Sequence, residues 1–340
     1  MRLLLEHKAD PTLPESTNDG NTPLGLALHT GEVEILRLLL QWGADVNSQN
    51  KLGVSPLLGA AGNGYVDVVQ LLIDSGANVG SRDDDGCTPL HLASYNGHVK
   101  VVELLIQNGA DVGARDNDDW TPLHLASQHG HIKVVELLIQ NGADVCSHDD
   151  WTALHLASQN GHTKVAELLI RNGTDVGARR NDGWTPLHSA SKNGHVHLAE
   201  LLIKNGADVG SLVNDDWTPL HMASQNGHIK VVELLIQNGA DLSARCNGGW
   251  TLLHLDSPNG HIEVAELLIQ NGADVDARDN DGRTPYILHR KTGTSIWLNC
   301  SFNTVKMQAL DATTVVPLYI RRQNTGMSRW QNFSFKMVQL

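Results

Sequence analysis

No apolar run in this sequence approaches the roughly 20 residues that a membrane-spanning helix needs. The opening MRLLLEHKAD has only a three-Leu stretch where a signal peptide needs about 7–15 apolar residues. A soluble chain that is not secreted is expected, in the cytoplasm or alternatively the nucleus. Cysteine is scarce. Cys87, Cys146, Cys246 and Cys300 lie far apart with no CxxC pair, which fits free thiols in a reducing compartment better than a disulfide frame. There is no GxxxxGK phosphate loop, and no nucleophile and base are paired outside a repeating pattern, so neither catalysis nor a cofactor is expected. Basic charge is also short: 25 Lys and Arg against 38 Asp and Glu leave a net charge of −13. Nucleic acid, whose binding depends on cations that neutralise phosphates, is a poor partner for such a chain.

What the sequence does have is itself, many times over. DDWTPLHLASQHGHIKVVELLIQNGADV begins at Asp118, and DDWTPLHMASQNGHIKVVELLIQNGADL begins at Asp215. The block of Thr or Ser, then Pro or a substitute, then Leu recurs at Thr22, Ser55, Thr88, Thr121, Thr152, Thr185, Thr218, Thr251 and, with Tyr286 in place of Leu, Thr284. The steps are 33 residues except for one of 31 between Thr121 and Thr152. A fixed period in that range marks a solenoid, in which each unit buries its apolar face against its neighbours. One long domain can therefore replace the two or so globular domains that 340 residues would ordinarily suggest.

Within the unit at Asp118, Thr121 is a favoured N-cap and Pro122 fits the first turn of a helix, where its missing N–H is not needed. Leu123 and Ala126 then share a face, and Gly130 supplies a left-handed stop. A second helix follows, with Ile132, Val135, Leu138 and Ile139 predicted inward and Lys133, Glu136 and Gln140 left to water, and it ends at Gly142.

Thr-Pro-Leu-His, Leu-Ala, Gly-His, Val-Val-Glu-Leu-Leu-Ile and Asn-Gly-Ala-Asp-Val in this order resemble the ankyrin repeat, over about residues 1–285. The near-identity of the units is similar to the long homogeneous arrays of fungal NACHT-type and heterokaryon-incompatibility proteins. The resemblance implies an all-α repeat solenoid of paired antiparallel helices with projecting β-hairpin fingers such as ADVGARDNDDW. It also implies a structural role for Thr88 and His91, Thr121 and His124, Thr152 and His155, Thr185 and His188, Thr218 and His221, and Thr251 and His254, each imidazole bonding its cap Thr. The other repeated set, His98, His131, His162, His195, His228 and His261, follows a glycine. Neither set offers three or four converging ligands within one unit, so no metal is expected. DDDG at Asp83 and DNDG at Asp279 lack the alternate oxygens and distal Glu of a calcium loop and suit ordinary turns.

Tryptophan stands just before the capping Thr in Trp120, Trp151, Trp184, Trp217 and Trp250, where other units have Asn21, Val54, Cys87 and Arg283. The resemblance implies that this is a variable position on the concave, partner-facing side, and Trp leads the residue types found in binding hot spots. Asp119, Asp150, Asp182 and Asp216 lie beside these tryptophans and make the fingers acidic. These nine residues are the candidate partner-binding set, for a protein with a basic or extended segment. Copying of one unit with Trp packed on its neighbour is the competing explanation.

Three departures break the pattern. The finger VCSHDDW at Val145 is two residues short. TLLHLDSPNGH at Thr251 puts Asp256 at an inward position and Pro258 late in a helix, so this unit is expected to be the softest complete one. From about Tyr286 the repeat is lost: residues 286–340 carry seven Lys or Arg against the single acid Asp311, which leaves −19 for the rest. The expected organisation is a partial repeat and loop over 1–21, eight full repeats over 22–285, and a degenerate capping helix with a divergent basic tail over 286–340. That tail reads equally as a small docked cap, a disordered segment or sequence never selected to fold. The functional expectation is a non-catalytic, monomeric binding scaffold. The alternatives are a sensor or regulatory array cut from a larger signalling protein, and a decaying gene product without a partner.

Overall fold

The computed structural model describes residues 10–13, 20–28, 32–146, 150–259, 261–285, 299–301, 304–311 and 314–321, as backbone alone at 256–259 and beyond 285. The chain divides into two compact units that meet in sequence at Ala178 and Arg179. The first contains α1 (Pro23–Ala27), α2 (Val33–Gln41), α3 (Pro56–Asn63), α4 (Val66–Asp74), α5 (Pro89–Tyr95), α6 (Val99–Gln107), α7 (Pro122–Gln128), α8 (Ile132–Gln140), α9 (Ala153–Asn160) and α10 (Thr163–Arg171). The second contains α11 (Pro186–Lys192), α12 (Val196–Lys204), α13 (Pro219–Gln225), α14 (Ile229–Gln237), α15 (Leu252–Asn259) and α16 (Ile262–Gln270).

Each helix pair begins where the local chemistry dictates. Thr88, Thr121, Thr152, Thr185 and Thr218 are N-caps with extended backbone, closed by a capping box with the His three residues on. Pro occupies the first turn in all of these but α9, which starts at Ala153. Within a pair the two helices pack on each other, and first helices stack on first helices: α3 on α5, α5 on α7 and α7 on α9 in one unit, α11 on α13 and α13 on α15 in the other. The core is correspondingly one-dimensional. Leu90, Leu123 and Leu154 in the first unit, and Leu187, Leu220 and Leu253 in the second, are the same repeat position, and none is more than 4% exposed. Each such Leu contributes about 1.5–3 kcal/mol of transfer free energy.

The second helix differs from the periodic reading. In α8 the buried residues are Val134, Val135 and Leu138, while Ile132 is 37% exposed. Position 132 opens the helix beside His131, where it has no preceding turn to shelter it, and the inward stripe is carried by the Val-Val-Glu-Leu-Leu segment instead. Helix α15 spans Leu252–Asn259 and so runs through both Asp256 and Pro258, whose side chains lie outside the described residues.

Residues 299–321 include an antiparallel sheet in the order β1 (Asn299–Ser301), β2 (Thr304–Asp311), β3 (Thr314–Arg321). Thr304 pairs with Arg321 and Asp311 with Thr314, while Asn299 pairs with Lys306. Pro317 falls on β3, an edge strand, where its missing N–H costs no ladder bond. The capping helix expected from Tyr286 and the tail at 322–340 lie outside the described residues.

Candidate functional site

The candidate residues sit on the fingers, the loops between one helix pair and the next. Each finger is built from turns. Asp116 Oδ1 accepts from the N–H groups of Asp118 at 3.0 Å and Trp120 at 2.8 Å, and the N–H of Asp116 donates to the Trp120 carbonyl at 2.9 Å. Among the described residues the fingers therefore have tight turns in place of strand ladders, with one isolated bridge between Cys246 and Trp250. Successive fingers are joined by backbone bonds: Asp84 N to Leu52 O and Asn117 N to Asp85 O in the first unit, Asn214 N to Asp182 O, Asn247 N to Asp215 O and Asn280 N to Gly248 O in the second. The short finger at Val145–Trp151 is described only at its ends.

At the base of each finger stands the histidine that closes the helix cap. His91 Nδ1 accepts from the Thr88 N–H at 3.1 Å and from its hydroxyl at 2.8 Å, and Nε2 donates to the Trp120 carbonyl of the next finger at 3.0 Å. Since a carbonyl can only accept, this arrangement fixes the proton on Nε2. His188 repeats it with the Trp217 carbonyl at 3.2 Å and His254 with the Arg283 carbonyl at 3.0 Å. His124, His155 and His221 keep the bond of 2.8 Å between Nδ1 and the hydroxyls of Thr121, Thr152 and Thr218; Thr185–His188 and Thr251–His254 have it too. Burial holds the rings of His91, His188, His221 and His254 below the usual imidazole range, to about 4 for His188 and His221, although carbonyl acceptors pull the other way. These groups are neutral structural links at neutral pH.

The second histidine set joins repeats in the opposite direction. His98, His131, His162, His228 and His261 donate through Nε2 to the carbonyls of Gly62, Tyr95, Gln128, Lys192 and Gln225, which belong to the repeat before. Among the described residues no three His, Cys, Asp or Glu side chains converge as metal ligands would.

Trp120, Trp151, Trp184, Trp217 and Trp250 are each half-buried. Four of them lie against the capping histidine of their own repeat, with ring centroids 6.4 Å apart for Trp120–His124, 6.3 Å for Trp151–His155, 5.6 Å for Trp184–His188 and 6.0 Å for Trp217–His221. Part of each indole is thus packing and part is surface. Trp184 is held further: its Nε1 donates to Ser189 Oγ at 2.7 Å, and Lys192 Nζ lies 5.5 Å from its ring centroid. Of the flanking carboxylates, Asp119 and Asp216 are exposed and Asp150 and Asp182 half-buried. Asp182 is paired with Arg180 at 3.3 Å. In the last finger Arg283 takes the tryptophan position and binds Asp279 at 2.8 Å and Asp281 at 2.5 Å, so its acidity is answered within the loop. Cys87, which holds the same position in an earlier finger, has its thiol pushed up to about 12 by burial and by Asp83, Asp116 and Asp85, which leaves it protonated and unreactive.

Sequence reading missed a set of cations between the fingers. Arg82, Arg115, Arg245 and Arg278 each donate to the carbonyl four residues on, at Gly86, Asp119, Gly249 and Gly282. The signal was available: aligned by repeat, and leaving aside the short finger at Val145, these positions read Gln49, Arg82, Arg115, Arg179, Leu212, Arg245 and Arg278, with Leu212 the one apolar member.

The ankyrin repeat profile in its three-copy form matches residues 57–149, 145–213 and 209–279, and the single-repeat profile matches 19–51. An ankyrin repeat protein of Rickettsia felis is 38% identical over 61 residues, which cover 16% of this chain and 26% of that protein, so the match spans about a quarter of the curated relative. Among solved structures, the crystal structure of the human ASB11 ankyrin repeat domain is 30% identical with a TM-score of 0.61, over 65% of this chain and 99% of that one. No helix among the described residues is long and apolar enough to cross a membrane.

Proposed function

Because the chain belongs to the ankyrin repeat family, whose arrays are generally protein-protein interaction modules, we propose that it is a non-catalytic binding scaffold whose finger face receives a basic segment of a protein partner. The observation that carries this reading is a large aromatic left half-exposed beside carboxylates in unit after unit: Trp120 with Asp119, Trp151 with Asp150, Trp184 with Asp182, and Trp217 with Asp216. Trp250 follows two glycines and contributes its ring alone. An indole face combined with nearby carboxylates suits Lys and Arg, through cation–π attraction and charge together. The repetition of the same surface suits an extended segment better than a single compact epitope.

The reading is tested with immobilised peptides of graded net charge, comparing the full chain with a variant in which Trp120, Trp151, Trp184, Trp217 and Trp250 are all alanine. Both are first checked for equal helicity by circular dichroism. Retention that rises with positive charge and drops at least tenfold in the variant is expected. Equal retention by both proteins would mean that the tryptophans only pack against their histidines.

A further inference from the structure

In four fingers the residue four positions before the turn ties that finger to the one after it. Gln49 Nε2 donates to the Gly53 carbonyl at 2.8 Å and to the Arg82 carbonyl of the next finger at 3.0 Å. Arg82 reaches Gly86 and Arg115 in the same way, and Arg245 reaches Gly249 at 2.9 Å and Arg278 at 2.7 Å. Arg179 donates to the carbonyl of Leu212. At 212 itself the guanidinium is replaced by a leucine that is 42% exposed. The two carbonyls that an arginine there would reach, by the spacing of the other fingers, are those of Asp216 and Arg245. Neither accepts a hydrogen bond among the described residues.

The substitution leaves a cleft of about 430 Å³ lined by Val209, Leu212, Asp216, Thr218, Asp241 and Arg245. Behind it the Thr218 hydroxyl meets His221 Nδ1 at 2.8 Å, while Nε2 of that fully buried ring, among the described residues, makes no hydrogen bond of normal geometry to the following finger. The equivalent nitrogens of His188 and His254 both donate to a carbonyl of the following finger. Two separate features of the inter-finger bonding are therefore missing at one place.

We infer that this cleft is a receptor for an arginine side chain of the partner, whose guanidinium enters beside Leu212, between the Asp216 and Asp241 carboxylates, and donates to the carbonyls of Asp216 and Arg245. The inference rests on the reading that the finger face binds a basic partner, and narrows that partner to one presenting arginine. A planar fork of N–H donors matches two carbonyls that the array elsewhere bridges with its own arginines, whereas a lysine ammonium is a point charge without that geometry. Arg245 does not bar entry. Its guanidinium is committed to Gly249 and Arg278, and arginines one repeat apart are the ordinary arrangement here, as Arg82 with Arg115 and Arg245 with Arg278. Leu212 and Val209 remain to cover the aliphatic stem of the incoming side chain.

The test is an amide-shift NMR titration of the full chain with acetyl-Gly-Arg-Gly-amide and with its lysine counterpart. The arginine peptide is expected to move the amides of Gly210, Leu212, Asp216 and Ala244, and the lysine peptide to bind at least fivefold more weakly. Leu212→Arg fills the slot from within and should weaken arginine-peptide binding at least tenfold while raising the melting temperature; Leu212→Ala leaves the slot open and should retain binding. Equal binding by Leu212→Arg and the unsubstituted chain, or unmoved amides at the four positions, overturns the assignment. The five-tryptophan variant separates the two readings. If it still shows the cleft shifts, the tryptophan reading fails alone; if basic peptides are retained in a tryptophan-dependent way but the cleft amides stay still, the arginine slot fails alone.

Discussion

Asp119 and Asp216 have φ of 63° and 60°, the left-handed region, at a finger position where Gly53, Gly86, Gly183, Gly249 and Gly282 stand elsewhere. A residue with a Cβ is strained there by about 1–2 kcal/mol, less for Asp, and glycine recovers part of that at an entropic cost. Asp119→Gly and Asp216→Gly should each stabilise the fold by roughly 0.5 kcal/mol in urea denaturation. Under the proposed function both should also weaken binding of basic peptides, so stability and affinity would move in opposite directions at the same residue. The serines of the Ala-Ser step give a simpler case. Ser94, Ser127, Ser158, Ser191 and Ser224 are fully buried, and among the described residues their hydroxyls have no partner. Ser127→Ala and Ser224→Ala should be neutral or stabilising by up to about 1 kcal/mol, because they remove a desolvated polar group without opening a void. Four capping histidines, His91, His188, His221 and His254, respond to pH. Their folded-state values lie below the unfolded one, so their contribution is complete above about pH 6.5 and is lost as pH falls toward about 4 for His188 and His221. Unfolding free energy measured across that window should fall with decreasing pH, on the order of 1 kcal/mol per unit for each of these two rings. A flat profile would mean that the rings are hydrated or that the unfolded chain protects them as well.

At the scale of the helix pair, the link between repeats is a glycine under an imidazole. A Cβ added to Gly97, where φ is 75°, would come within 2.5 Å of His131 Nδ1, and the ring would have to leave the bond it makes to Tyr95. Gly109 has φ of 86° but open space around it. Gly97→Ala should therefore cost about 2–3 kcal/mol and Gly109→Ala only about 1–2 kcal/mol, since the second pays for backbone strain alone. How much of this could be read from sequence follows from the range of each interaction. The Thr-Pro-Leu-His caps were legible because Thr121 and His124 bond across three residues, and the period revealed the stacking of Leu123 and Ala126. The inward face of α8 was misjudged at Ile132, because a periodic count does not register where a helix begins. The finger clamps were not legible as chemistry: Arg82 meets a carbonyl 33 residues away, and nothing in a single repeat says which carbonyls are left waiting. The half-burial of the tryptophans arises in the same way, from a histidine four residues on whose ring position is set by the following finger.

For the whole molecule, charge is the first consequence. Residues 1–285 carry −19 and the remainder +6. Association with a cationic peptide should slow by at least about tenfold between 10 and 150 mM salt, as steering is screened over a Debye length that shrinks from about 30 to about 8 Å. Stopped-flow rates that do not change with salt would remove electrostatics from the proposed function. The bonds between neighbouring repeats have a further consequence, for how such a chain comes to have the length it has. His131 finds its carbonyl in the preceding repeat, His91 finds its own in the following one, and Arg245 does likewise, in every case through groups that nearly every other unit also supplies. A unit of 33 residues is thus interchangeable with its neighbours, and unequal crossing-over that adds or removes one in register leaves each remaining donor facing an equivalent acceptor. Array length can drift without a penalty in folding, while Leu212, where the interchange is imperfect, gives an otherwise uniform series one position that can be told from the rest.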